Sequence, residues 1–166
     1  DGSEFTYEDW TSELRQFDYF FRNAYELNDI VNPNPQEWND IADSIVGFRA
    51  PLLINNQEMY RALKDMGYIY DTSLVLAITS KYQYRYNEII IFPLNSLNTD
   101  LGKTIAMDYN FLILDKGREA GAGARMLEEY RRYFSQARAE GNAPVQIGHH
   151  FARWNEGAYW WALKEI

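Results

Sequence analysis

Polar side chains with acid–base chemistry lie at the predicted ends of three apolar strands. Arg49 follows "SIVGF", Asp108 lies within "AMDYNF", and His149 and His150 follow "VQIG". In parallel α/β folds, functional groups collect at the carboxyl ends of the strands. An Arg, a carboxylate and an imidazole can orient one another and exchange a proton. The pattern therefore predicts general acid–base catalysis.

Each of these residues also has a structural alternative. A strand-end Arg is as often part of a structural ion pair, and Asp108 is also suited to capping a turn. Because successive side chains of a strand face opposite sides, only one of His149 and His150 is expected to reach a given pocket. They are the only histidines in the chain, the residue type suited to proton transfer near neutral pH. A histidine pair without a catalytic role stays an alternative.

The residue spacing gives little support for a metal site within the chain. Two adjacent histidines on a strand point apart, and the chain has no His-x-x-x-His helix. Cysteine is absent, which excludes thiolate ligands, disulfides and thiol nucleophiles together. Asp71 in "YDTS" follows another predicted strand and is typical of a turn or helix cap. We predict no metal ligands from these residues.

Composition bounds the class of protein and its partners. The chain has 166 residues, of which 46% are hydrophobic, so we predict one domain with its own core. A net charge of −8 argues against nucleic acid as a partner, since phosphate binding needs clustered Lys and Arg. No apolar run approaches the roughly 20 residues of a membrane span, and the start "DGSEFTYEDW" does not resemble a signal peptide. The aromatic share of 16% fits either core packing or a platform for flat ligands such as sugars.

Helical and strand patterns alternate along the chain. Helices are predicted over residues 6–27, 56–66 (closed by Gly67), 124–139 (closed by Gly141) and in "EGAYWWALKEI", with a helix break at "VNPNPQEW". Strands are predicted in "SIVGF", "YIYDTSLVLA", "NEIIIFPL", "KTIAMDYNFLIL" and "APVQIGHHF". The alternation indicates an α/β fold with a mostly parallel sheet, either open or rolled into a barrel.

Two blocks of the sequence resemble a known enzyme family. "GFRAPLLINNQEMYRALKDMGYIYDTSL" resembles the Arg-x-Pro block of the polysaccharide deacetylases, the NodB-type carbohydrate esterases that include chitin deacetylases. "MDYNF" and "VQIGHHFARWNEGAYWWAL" resemble later blocks of that family. The resemblance covers nearly the whole chain and is strongest over residues 45–73 and 145–163. It implies a distorted, incomplete (β/α) barrel.

The resemblance also implies a mechanism and a set of site residues. In the family, a divalent metal such as zinc polarises an acetyl carbonyl and activates water, an Asp acts as base, and a His protonates the departing amine. Arg49 would hold the base Asp, Asp108 would tether the acid, and His150, or alternatively His149, would be that acid. The spacing from His150 to Trp154 fits the family pattern better. The implied sugar-binding residues are Trp154, Tyr109, Phe151, Pro51 and Asn155.

The sequence departs from the family pattern in its first part. The family's first two blocks supply the base Asp and the metal-binding Asp and His residues, and neither block is present in this chain. We therefore expect the chain to be the C-terminal two-thirds of a deacetylase catalytic domain that is inactive by itself. The missing segment or a second copy of the chain is the expected partner of the open sheet edge.

The expected function is metal-dependent deacetylation of N-acetylated or O-acetylated polysaccharide by the complete domain. Two alternatives are a non-catalytic carbohydrate-binding or scaffold module and an interaction protein that uses the open sheet edge. The family's substrates imply an extracytoplasmic setting, which is secreted, periplasmic or at the cell surface.

Overall fold

Helices and short strands alternate in the computed structural model, which describes residues 2–78, 84–116, 120–150 and 152–166. The α-helices, in chain order, are α1 (Tyr7–Arg22), α2 (Ala24–Leu27), α3 (Pro35–Ser44), α4 (Gln57–Asp65), α5 (Asp108–Asp115), α6 (Ala122–Ala139) and α7 (Ala158–Lys164). The strands are β1 (Gly47–Phe48), β2 (Tyr70–Asp71), β3 (Val75–Ala77), β4 (Tyr84–Tyr86), β5 (Ile89–Ile91), β6 (Leu94–Thr99) and β7 (Gly102–Ile105). Within this part of the chain, no helix has the length and apolar character needed to cross a membrane.

The chain divides into two compact units. The first unit consists of Asp1–Ser73 and Arg85–Ile91, and the second of Leu74–Tyr84 and Phe92–Ile166. Arg49 and Pro51 lie in the first unit. The other predicted site residues that the structure describes lie in the second unit.

Two sheets define an α/β fold with mixed strand pairing. One sheet has the order β1-β2-β5-β4, with β1 parallel to β2 and β2 parallel to β5. The other has the order β3-β6-β7, with β3 parallel to β6 and β6 antiparallel to β7. The α/β class is confirmed. The strands in the described ranges do not close into a barrel.

Helix α1 begins at the capping box that the sequence predicts. The Asp9 backbone N–H donates to Thr6 Oγ1 at 3.2 Å, and the Thr6 N–H donates to Asp9 Oδ2 at 2.9 Å. Trp10 and Leu14 are buried on its apolar face. In the second half of α1, the side chains of Phe17, Tyr19 and Phe20 are exposed. Only the first half of the predicted apolar face is therefore buried.

The predicted helix break at "VNPNPQEW" is confirmed, and a new helix starts inside this segment. Pro35 is the first residue of α3, where its missing N–H would have had no partner in the helix. The Asn34 side chain caps this helix by accepting from the Glu37 N–H. The second proline therefore begins a helix.

The strand predicted in "KTIAMDYNFLIL" is wrong in its second half. β7 ends at Ile105, and α5 begins at Asp108. A short apolar run fits a buried helix as well as a strand, so periodicity could not separate the two.

The strand predicted in "APVQIGHHF" is also wrong, apart from a single parallel bridge between Gly148 and Met107 among the described residues. Two of its backbone N–H groups donate to side chains instead. The Gln146 N–H donates to the Tyr133 hydroxyl, and the His150 N–H donates to Asp108 Oδ2. Pairing with side chains satisfies these N–H groups without a second strand.

The core of the second unit is built around α6. Phe111, Met126, Tyr130 and Tyr159 are almost completely inaccessible to solvent and belong to one apolar cluster. Gly123 lets α6 approach α7 closely, because a Cβ atom at this position would lie 2.4 Å from the backbone oxygen of Ala158. The close approach of these two helices therefore depends on the absence of a side chain at Gly123.

Replacing Gly123 with alanine is expected to lower the free energy of unfolding by about 1–3 kcal/mol. The added methyl group meets a backbone atom, so no side-chain rotation relieves the overlap. Urea unfolding measures the change. Ser135→Ala on the exposed side of the same helix is the control, with an expected change within about 0.5 kcal/mol. Equal stabilities of the two variants would contradict the close packing of α6 on α7.

Candidate active site

Backbone hydrogen bonds hold the start of α5 beside the segment that carries the two histidines. The Gly148 N–H donates to the Ala106 oxygen at 2.8 Å, and the Asp108 N–H donates to the Gly148 oxygen at 3.1 Å. These two bonds place the first side chain of α5 next to His149 and His150. The fold therefore brings together residues that are about 40 positions apart in the sequence.

Asp108 and His150 form a hydrogen-bonded pair. Asp108 is completely buried, and its Oδ1 lies 2.7 Å from Nδ1 of His150. Its Oδ2 accepts from the His150 backbone N–H at 2.9 Å, and Oδ1 also accepts from the Tyr109 N–H at 2.7 Å. A carboxylate is an acceptor, so the short contact assigns the hydrogen to Nδ1 of His150. Nε2 is then left to accept or donate a proton elsewhere.

The outer face of His150 lies among aromatic rings. The His150 side chain is 49% exposed, so Nε2 is on the solvent side of the buried carboxylate. The ring of Trp154 is 5.2 Å from that of His150, and the Tyr109 ring is 5.5 Å from Trp154. Tyr109 is exposed and Trp154 is half-buried, and aromatic rings beside an imidazole are suited to stacking against the apolar face of a sugar.

Asn155 is tied into a buried network behind these rings. Its Nδ2 donates to the Tyr159 hydroxyl at 3.1 Å, and that hydroxyl donates to Asp115 Oδ2 at 2.7 Å. Arg125 completes the network, with Nε 2.7 Å from Asp115 Oδ1. Burial, together with the neighbouring carboxylate, raises the pKa of Tyr159 well above its usual range. Asn155 thus helps to hold the turn that carries Trp154.

His149 occupies a different environment from its neighbour. Its side chain is 13% exposed, and its Nε2 lies 3.4 Å from the Tyr130 hydroxyl. Its Nδ1 is 3.7 Å from Asp108 Oδ2 and is buried without a hydrogen-bond partner among the described residues. Burial lowers the pKa of His149, which favours the neutral ring. Phe151, predicted to bind substrate, lies outside the described residues.

In the first unit, Arg49 is held at the end of β1 by the "YDTS" segment. Its Nε donates to Thr72 Oγ1 at 2.8 Å. The next N–H, of Ala50, donates to Ser73 Oγ at 2.8 Å, and Ser73 Oγ donates to Asp71 Oδ1 at 2.6 Å. Burial is the main effect on Arg49 and lowers its pKa, while the charge of Asp71 opposes the shift. The Arg-Ala-Pro corner is therefore fixed by two side-chain hydrogen bonds.

A cavity of about 610 Å³ lies beside this corner, also within the first unit. Pro51 and Arg49 form part of its wall. Most of the remaining wall is apolar, including Trp10, Phe48 and Tyr68. The sequence patterns did not predict this cavity, since its walls come from separate segments.

The described residues do not fit the divalent metal that the family resemblance implies. In the ranges that the structure covers, no three His, Cys, Asp or Glu side chains come together as metal ligands. Asp108 is already engaged with three N–H donors. We therefore assign no step of the chemistry to a metal held by these residues.

Comparison of the chain with protein-family models, curated proteins and solved structures found no match.

Sequence patterns did not predict several residues that support the site. Tyr130 contacts His149 across 19 positions, and Thr72 and Ser73 bind the Arg49 corner across 23. Hydroxyl side chains carry no spacing signal of their own, so these contacts appear only in the folded chain.

Proposed function

We propose that this chain is a catalytic part of a polysaccharide deacetylase that acts on N-acetylated or O-acetylated glycans. One observation carries the proposal: the buried Asp108 carboxylate orients the half-exposed His150 ring beside Tyr109 and Trp154. This arrangement supports a general acid next to a sugar-binding surface. The resemblance of the "GFRAP" and "GHHF" blocks supports the same reaction class.

His150 supplies the proton that the leaving group needs. During hydrolysis of an N-acetyl group, the base takes one proton from water, the water oxygen bonds to the carbonyl carbon, and the C–N bond breaks to release acetate. The His150 Nε2–H transfers its proton to the departing nitrogen, which leaves as an amine. Asp108 holds the ring through Nδ1 and stabilises the imidazolium before the transfer.

The remaining roles in the proposal come from the family resemblance. Arg49 orients the base carboxylate, which belongs to a sequence block that this chain lacks, as do the metal ligands. In the complete domain, a divalent metal held by blocks outside this chain would polarise the acetyl carbonyl, and no residue of this chain is assigned to hold it. The complete domain is proposed to be a distorted (β/α) barrel in an extracytoplasmic setting. The chain by itself is expected to bind glycan without releasing acetate.

Binding without catalysis is the second candidate function. The exposed ring of Tyr109 and the half-buried ring of Trp154 support carbohydrate binding whether or not a complete catalytic site is formed. Acetate release distinguishes the two functions. Measurable release by any form of the protein that includes this chain, lost on replacing Asp108, supports the enzyme. Glycan binding that is unaffected by His150 and Asp108 supports the binding module.

Replacing Trp154 with alanine is expected to weaken binding of an N-acetylglucosamine oligomer by about tenfold, since truncation of an aromatic side chain at the centre of a binding surface costs more than about 1 kcal/mol. Calorimetric titration of the 166-residue chain measures the affinity. Trp161→Ala, which removes an exposed indole of the same unit, is the control for loss of a tryptophan as such. Equal affinities of the unsubstituted chain and the Trp154 variant would place the glycan elsewhere.

A further inference from the structure

The buried Asp108 carboxylate faces two imidazole rings, of which the proposed acid accounts for only one. Nδ1 of His150 lies 2.7 Å from Oδ1, and Nδ1 of His149 lies 3.7 Å from Oδ2. Asp108 is completely inaccessible, and the His149 side chain is 13% exposed. An imidazole nitrogen directed at a buried carboxylate affects that carboxylate even beyond hydrogen-bond distance.

Two neighbours, Tyr130 and Asp108, determine which nitrogen of His149 carries the hydrogen. Its hydroxyl lies 3.4 Å from Nε2 of His149, and the side chain is completely buried. If Tyr130 donates to Nε2, the hydrogen of the neutral ring lies on Nδ1 and points towards Asp108 Oδ2. The opposite tautomer directs the Nδ1 lone pair at the carboxylate, which is repulsive. The Nδ1–H tautomer is therefore favoured at both ends of the ring.

We propose that His149 is a positioning residue: a neutral ring whose Nδ1–H dipole points towards Asp108 Oδ2 and supports, through the carboxylate, the hydrogen of His150 on Nδ1 next to Oδ1. The proposal rests on the acid role of His150 in the proposed function. It assigns His149 no contact with substrate. The order of the network is Tyr130, His149, Asp108 and His150, running from the core to the exposed rings.

The burial of His149 agrees with this role better than with the role of an acid. Its Nε2 faces a buried phenol, whereas the His150 side chain is 49% exposed and lies beside Trp154. The Tyr130 ring also packs against the His149 ring, with centroids 6.0 Å apart. This packing fixes the direction of the ring, as positioning of Asp108 requires.

Two substitutions of His149 distinguish a role of its N–H donor in positioning Asp108 from a role of the ring in filling the core. His149→Leu removes the N–H donor and keeps an apolar side chain in the space. His149→Asn keeps an N–H donor at a position similar to that of Nδ1. In histidine-labelled ¹⁵N spectra of the 166-residue chain, His150 is expected to be mainly the Nδ1–H tautomer in the unsubstituted chain and in His149→Asn. In His149→Leu, the Nδ1–H form of His150 is expected to become the minor one.

The outcomes are distinct. If both variants leave the His150 tautomer unchanged, or change it equally, the positioning role is overturned. Backbone amide spectra show whether each variant is folded. If His149→Leu does not fold, the tautomer of His149 in the unsubstituted chain provides the test, because the proposal requires its hydrogen on Nδ1, towards Asp108. An Nε2–H tautomer of His149 would overturn the proposal.

These spectra need no glycan and no turnover. A chain that fails to bind glycan therefore counts against the proposed function alone. A His150 tautomer that does not respond to the donor at position 149 counts against the positioning role alone.

Discussion

Replacing His150 with alanine is expected to lower acetate release by about two to four orders of magnitude in a form of the protein that includes the base and metal-binding blocks. The expected loss is large because His150 is the proposed proton donor to the leaving amine. The hydrogen bond from Nδ1 of His150 to the buried Asp108 fixes the direction of the ring. A water molecule in the space left by alanine would not be an oriented proton donor. Initial rates of acetate release from an N-acetylglucosamine oligomer measure the change.

The comparison variant is His149→Asn, which keeps an N–H donor near Asp108. Its expected loss is less than tenfold, since the acid itself is intact. Equal losses from the two substitutions would contradict the assignment of His150 as the acid. A loss confined to KM would show that His150 contributes to binding and not to proton transfer.

Replacing Arg125 with methionine is expected to lower the free energy of unfolding by about 2–4 kcal/mol, because it leaves a buried carboxylate without its ion pair. Asp115 is 1% exposed, and both Nε and a terminal nitrogen of Arg125 lie 2.7 Å from its Oδ1. The Asp115 carboxylate also accepts from the Tyr159 hydroxyl of α7. Loss of the Arg125 charge is therefore expected to weaken the packing of α7 as well. Urea unfolding followed by tryptophan fluorescence measures the change.

Arg132→Met is the matched control on the same helix. Arg132 has its carboxylate partners at 3.5 and 3.8 Å, and its side chain is 48% exposed. Exposed pairs of this kind contribute about 0–1 kcal/mol, so a small change is expected. Similar losses for the two variants would mean that the burial of Asp115 does not determine the strength of its pair.

Local signals in the sequence predicted those parts of the fold that depend on neighbouring residues. The Thr6–Asp9 capping box started α1, and Gly67, with a φ of 83°, followed the end of α4. A cap or a left-handed glycine needs only a few adjacent residues. Such features can therefore be identified without knowledge of the tertiary structure.

Elements whose form depends on distant contacts were harder to predict. "MDYNFLIL" is apolar enough for a strand, but the structure makes it the helix α5 with Asp108 at its first position. In the described ranges, the segment before His149 pairs with another segment only through one bridge at Gly148. The Gln146 N–H donates to the Tyr133 hydroxyl and not to a neighbouring strand. Neither outcome is encoded in the spacing of the residues involved.

The sequence analysis named the residues of the Asp108–His150 pair but not all of the side chains that contact them. Asp108 and His150 were expected to pair from the family resemblance, and the structure places them in contact. The contact of His149 with Tyr130 was not expected, since Tyr130 fits the apolar face of α6 and carried no functional signal. The folded core alone shows that its hydroxyl faces an imidazole.

The most direct test of His150 as an oriented acid is a set of ¹H–¹⁵N spectra, long-range for the imidazoles, of a chain labelled at histidine and tryptophan, recorded without and with a saturating N-acetylglucosamine oligomer. An Nδ1–H tautomer at His150 is expected in both states, and the signals of His150 Nε2 and of the Trp154 indole are expected to shift when glycan binds. An Nε2–H tautomer at His150, or glycan binding that moves neither signal, would contradict the proposed acid on a sugar-binding surface.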